Sequence, residues 1–136
     1  MAINSGKRVQ FNMPISDIDH YNLRLPKERM DETLWFYTTI LGLTVGPRPL
    51  KSFGYWLYAA NKSILHISQA LPEEQREVDK KNAIDHIAFA CTDLANFEKV
   101  LQTHEIDYKR NEIAGIGQVQ LFLQDPMGNK VELNFS

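Results

Sequence analysis

The stretch IDHYNLRL, residues 18–25, returns as IDHIAFAC at residues 84–91, and that doubling decides the fold. His20 and His86 stand 66 positions apart, each preceded by Asp, and His66 and Glu132 are separated by the same 66 positions. Each of the four lies in a short apolar run that reads as a strand, so a repeated unit presents a potential metal ligand at the same two places. Within IDHYNLRL, alternation sets Ile18, His20, Asn22 and Arg24 on one face and Asp19, Tyr21, Leu23 and Leu25 on the other.

Working outward, MDETLWFYTTILGL (residues 30–43) places Leu34, Tyr37 and Leu41 at helical spacing. Asp31 and Glu32 suit the N-terminal end of a helix dipole, and Gly42 supplies its stop. Trp35, Phe36 and Tyr37 read as core. GPRPLKSFG (residues 46–54) breaks the pattern, and YWLYAA and SILHIS then read as two strands joined near Asn61 and Lys62, with Tyr55 and Trp56 on opposite faces. The unit is β-α-β-β-β. Its second copy runs through IDHIAFAC, a helix over DLANFEKVLQTHE with Asp93 as N-cap, a strand in IDYKRNE, and GQVQLFLQ and KVELNF hinged at DPMGN. ILHIS in the first copy answers VELNF in the second.

These readings predict an N-terminal extension over residues 1–17, a first module over 18–70, a charged connector over 71–82 and a second module over 83–136. One unit of roughly 60 residues buries too little apolar surface to be comfortable alone, whereas two share a core. The expected architecture is α+β: two tandem β-α-β-β-β modules forming a curved mixed sheet around a metal-centred cleft.

Composition narrows the partners. The chain of 136 residues carries a formal charge of −2, with basic and acidic residues interspersed, which argues against nucleic-acid or anionic-membrane partners and for a small molecule. No stretch approaches the roughly 20 apolar residues of a membrane span, and residues 1–17 lack a continuous apolar segment, so a cytoplasmic protein is expected. Cys91 is the only cysteine and reads as a small residue near a strand end; His104, late in a polar helix, is given no role.

If the first and last strands of each unit lie side by side, His20 and His66 project from one half and His86 and Glu132 from the other. Imidazole with carboxylate suits a single divalent Fe, Mn, Co, Ni or Zn ion, and the lack of cysteine partners argues against a closed structural zinc site. Arg24, on the face of His20, could bind a substrate anion or pair with a nearby carboxylate.

The strings HYNLRL, LWFYTTILGL, ILHIS, IDHIAFAC and DPMGNKVELNF resemble the vicinal oxygen chelate superfamily, which includes glyoxalase I, extradiol dioxygenases, fosfomycin-resistance enzymes and metal-free bleomycin-binding proteins. By that resemblance His20, His86 and Glu132 match three shared ligand positions. His66 falls where glyoxalase I carries a glutamate that serves as ligand and base, so it is a candidate metal ligand and a candidate catalytic base with a suitable ordinary pKa. Arg24 matches an arginine that contacts a glutathione carboxylate, although Gln69 and Ala70 stand where its accompanying asparagine would be. The resemblance implies a metal-dependent, glyoxalase-I-like lyase or isomerase acting on a small metabolite with vicinal oxygens through an enediolate-type intermediate, and a homodimer. The alternatives are an Fe(II) ring-cleaving dioxygenase and a metal-free binding protein.

Overall fold

The structure, a computed structural model, describes residues 13–78 and 80–136; within the expected N-terminal extension, residues 1–12 lie outside the described residues. The first unit forms β1 (Tyr21–Leu25), α1 (Met30–Trp35), β2 (Thr44–Gly46), β3 (Gly54–Ala59) and β4 (Lys62–Gln69). The second forms β5 (His86–Cys91), α2 (Leu94–Thr103), β6 (Lys109–Ile113), β7 (Gln118–Gln124) and β8 (Lys130–Phe135). Both are the expected β-α-β-β-β unit.

Each unit builds a four-stranded mixed sheet of the same order, β1-β4-β3-β2 and β5-β8-β7-β6, with the first strand parallel to the last. β1 and β5 are outer strands of their own sheets, so the eight strands form two four-stranded sheets. Duplication is visible in the register too: His66 lies opposite Asn22 of β1, and Glu132 opposite Ala88 of β5.

Alternation divides each sheet into a packed and an open face. Leu65 and Ile67 of β4, and Val131, Leu133 and Phe135 of β8, turn into one core with Phe36, Tyr37, Leu57, Leu101 and Leu121. His66 and Glu132 alternate with these residues and turn to the other face.

The first helix departs from simple periodicity. After Trp35 it widens into a π-type turn over Phe36–Ile40, closed by the Leu41 N–H to the Phe36 carbonyl at 3.1 Å, and it ends at Gly42 with φ +78°. Widening lets the adjacent Phe36 and Tyr37 both reach the core, at 2% and 1% exposure. Trp35 is thereby turned outward, 43% exposed with its ring edge-on to His104, which corrects its expected core position. Asp93 caps α2 as anticipated, accepting from the Asn96 N–H at 3.3 Å.

A buried carboxylate fastens the units together. Asp125, in the DPMGN turn, accepts from the Met127 and Asn129 backbone N–H groups through Oδ1, and from Asn129 Nδ2 and the Tyr37 hydroxyl through Oδ2, the last at 2.6 Å. Arg29 Nη2 also donates to the Pro126 carbonyl. The first unit's helix is therefore held on the second unit's turn. Among the described residues, no helix is long and apolar enough to cross a membrane.

Candidate metal centre

The two Asp-His sequences fold into the same device. His20 Nδ1 lies 2.7 Å from Asp19 Oδ1, and His86 Nδ1 lies 2.7 Å from Asp85 Oδ2. Donation from Nδ1–H to the carboxylate leaves Nε2 with its lone pair free, which is how metal-binding imidazoles are usually oriented. The same hydrogen bond is the main reason that both aspartate carboxyls are held below their ordinary range.

On the second sheet, His86 Nε2 lies 3.4 Å from Glu132 Oε1. Two ligands on one ion, each at about 2.1 Å, span a similar distance. Glu132 is 6% exposed, and its other oxygen has only long contacts to Gln120 Nε2 (3.4 Å) and Asn134 Nδ2 (3.3 Å). A buried carboxylate with so little compensation favours a cation beside it. The donor set therefore fits a borderline divalent ion.

On the first sheet, the His66 ring is sandwiched between His20, with centroids 3.7 Å apart and planes 16° apart, and Trp56, at 4.3 Å and 8°. Stacked imidazoles present parallel lone pairs, so in this arrangement His20 and His66 do not chelate one ion. His66 Nε2 is 3.5 Å from Ser63 Oγ. Burial first, then the neighbouring His20, lowers the proton affinity of His66 and favours its neutral form.

The structure thus brings the four candidate ligands together as two pairs on two sheets, His20 with His66 and His86 with Glu132. Among the described residues, no three His, Cys, Asp or Glu side chains are placed to hold one ion. His20 lines a cavity of about 770 Å³ and His86 another of about 440 Å³, and residues of both β1 and β5 line each of them.

Arg24 takes the second of its two anticipated roles. Its Nε donates to both carboxylate oxygens of Glu74, at 3.0 and 2.8 Å, and its Nη2 also contacts Glu74. Glu74 lies in a single 3-10 turn, Pro72–Glu74, so this pair fastens the connector onto the open face of the first sheet. The Arg24 guanidinium holds the Glu74 carboxyl down to about 2. A carboxylate lowered on folding contributes stability above its unfolded value, and that contribution is lost as pH falls through the folded value. The contact should therefore survive to about pH 2. An NMR titration should place the Glu74 midpoint there and return it toward 4.5 in Arg24→Ala; an unchanged midpoint in the variant would contradict the pairing.

Sequence reading missed Glu74, 50 positions from Arg24, and the orienting role of Asp19 and Asp85, although the repeated IDH was the available signal. Cys91 is half-buried, its thiol pushed up by burial and directed at the Phe89 carbonyl.

Comparison with known proteins bears on the family and the fold. The sequence profile of the glyoxalase/bleomycin resistance protein/dioxygenase superfamily matches residues 17–133. A search among curated proteins returned no match. A glyoxalase/dioxygenase from Nostoc punctiforme superposes with a TM-score of 0.72 at 18% identity, covering 97% of this chain and 99% of that one. A genomically encoded fosfomycin resistance protein from Listeria monocytogenes gives 0.68 at 14% identity, covering 90% and 94%. A lactoylglutathione lyase from Agrobacterium tumefaciens gives 0.64 at 21% identity, covering 91% and 96%. At these identities the likeness is one of fold.

Proposed function

Because the chain belongs to the glyoxalase/bleomycin resistance protein/dioxygenase superfamily, we propose that it is a divalent-metal-dependent lyase or isomerase acting on a small metabolite with neighbouring oxygens, its metal centre completed between two copies of the chain. The observation that carries this reading is the pair of matched Asp-His devices, each turning its Nε2 away from its aspartate, on two separate sheets. One copy supplies His20, and a second copy supplies His86 and Glu132. The homodimer is then part of the active site.

When bound, the ion supplies Lewis-acid polarisation of two adjacent substrate oxygens. Asp19 and Asp85 fix the two ligand rings and their tautomers. Glu132 offers Oε1 toward His86 while Gln120 and Asn134 steady Oε2. His66, clamped between His20 and Trp56 and kept neutral by burial, would accept a proton from one substrate carbon and return it to the next.

The test uses metal-reconstituted protein with 2-oxoaldehyde hemithioacetals and 2-hydroxy ketones. The expected result is exchange of the carbon-bound hydrogen with solvent deuterium and no oxygen uptake. His66→Ala should slow exchange by about 10²–10⁴-fold while keeping its metal. Stoichiometric oxygen uptake with catechols and Fe(II), without proton exchange, would contradict the lyase reading in favour of ring cleavage.

A further inference from the structure

The open face of the first sheet carries a second arginine that the proposed chemistry leaves unused. Arg48, in the loop between β2 and β3, donates through Nη2 to Ser52 Oγ at 3.2 Å and through Nη1 to the Ser52 carbonyl. Its guanidinium lies over Gly54: a Cβ built there would come within 2.8 Å of Nη2 and 3.0 Å of Cζ. Gly54 shares the Trp56 face by strand alternation, and Trp56 stacks on His66. The Ile67 carbonyl would lie nearer still, at 2.5 Å, so the missing side chain makes room for that backbone as well as for the guanidinium on the Trp56 face.

Arg48 differs from Arg24 in one respect that matters for binding. Arg24 has its charge matched by Glu74. Among the described residues Arg48 has no carboxylate partner: two of the five N–H donors of a guanidinium serve Ser52, and its Nε is buried without an acceptor. A half-buried cation held by its own loop, with donors and charge left over, is costly unless an anion completes it.

We propose that Arg48 is a substrate-binding residue that receives a carboxylate or phosphate group, so that the substrate is an acidic compound carrying this anion beside its pair of neighbouring oxygens. The inference rests on the reading that the His20 and His66 face belongs to the active site. Trp56 supplies a flat apolar wall next to the charge. Ser52 fixes the fork that a lysine at position 48 would not reproduce.

Binding can be read without metal. In Trp35→Phe protein, Trp56 is the remaining tryptophan, and its fluorescence is followed during titration with succinate, inorganic phosphate or uncharged succinamide at constant ionic strength. At least one anion should saturate the change with a midpoint near or below about 1 mM, and succinamide should not. Succinate alone identifies a carboxylate, and phosphate alone a phosphoryl group. Arg48→Gln should weaken anion binding at least tenfold, and Arg48→Lys should recover part of it through charge alone. Circular dichroism and the urea midpoint verify that both variants are folded.

Absence of saturation by either anion, or equal binding by folded Arg48→Gln, would overturn the proposal. Metal content is measured separately on the same proteins. Arg48-dependent anion binding in a protein that retains no metal would remove the metal-enzyme reading and leave this one standing. Retained metal with no anion binding would do the reverse.

Discussion

Glu132→Ala should leave the protein folded but unable to retain a divalent ion at stoichiometric level. Among the described residues, the carboxylate is the one acidic ligand candidate on the open sheet faces that is not already committed to an orienting or connecting contact: Asp19 and Asp85 serve the histidines, and Glu74 serves Arg24. Removing Glu132 also removes a buried charge whose contacts within its own sheet are long, so the stability lost should be small beside the affinity lost. Asp85→Ala acts one step further away, through the orientation of His86, and should lower metal affinity by about 10–100-fold. Metal analysis after dialysis, with the urea midpoint as control, measures both. Full metal retention in Glu132→Ala would contradict the assignment, and wild-type protein holding only trace metal would favour a binding role without it.

The largest stability effect is expected at Asp125. Asp125→Ala strands the Tyr37 hydroxyl, two backbone N–H groups and the Asn129 amide, all dependent on one carboxylate that is 5% exposed. At about 1–3 kcal/mol for each unmet buried group, partly relieved by water, the loss should be roughly 3 kcal/mol or more. Tyr37→Phe removes one donor to that carboxylate and should cost about 1.5–3 kcal/mol. Tyr21→Phe supplies the contrast. The Tyr21 hydroxyl is buried beside the Tyr37 hydroxyl, with no hydrogen bond to Asp125 among the described residues, so its removal should cost less, about 0.5–1.5 kcal/mol. Equal losses at Tyr21 and Tyr37 in urea unfolding would show that the carboxylate is not the fastening.

What the sequence disclosed follows from how local each interaction is. Strand alternation in IDHYNLRL and ILHIS places His20, Asn22 and Arg24 on one face and His66 opposite the core residues Leu65 and Ile67, and the structure keeps that division. The DPMGN turn was legible because Asp125 bonds within four residues of itself, and Gly128 takes the positive φ of +82° that the turn needs.

Less was legible where the deciding contact is distant. The widened turn over Phe36–Ile40 answers the demand of a shared core for two adjacent aromatic residues, and helical periodicity therefore misplaces Trp35. Arg24 is spoken for by Glu74, which local pattern cannot reveal. The repeat states which positions correspond, yet the division of His20 and His66 from His86 and Glu132 depends on which sheet edges meet. Period alone says nothing about that.

If the ligands of the two sheets meet only between two copies, subunit mixing completes a site that neither variant has alone. His20→Ala damages one sheet and Glu132→Ala the other, so each variant alone forms only incomplete sites. In dimers formed by unfolding and refolding an equimolar mixture, one site joins the intact first sheet of a Glu132→Ala chain to the intact second sheet of a His20→Ala chain. Metal content should then rise from near zero in either variant to about one quarter of the wild-type value, since about half of the dimers are mixed and one of two sites in each is complete. A mixture that forms mixed dimers yet recovers no metal, or a wild-type monomer that retains one ion per chain, would contradict the account.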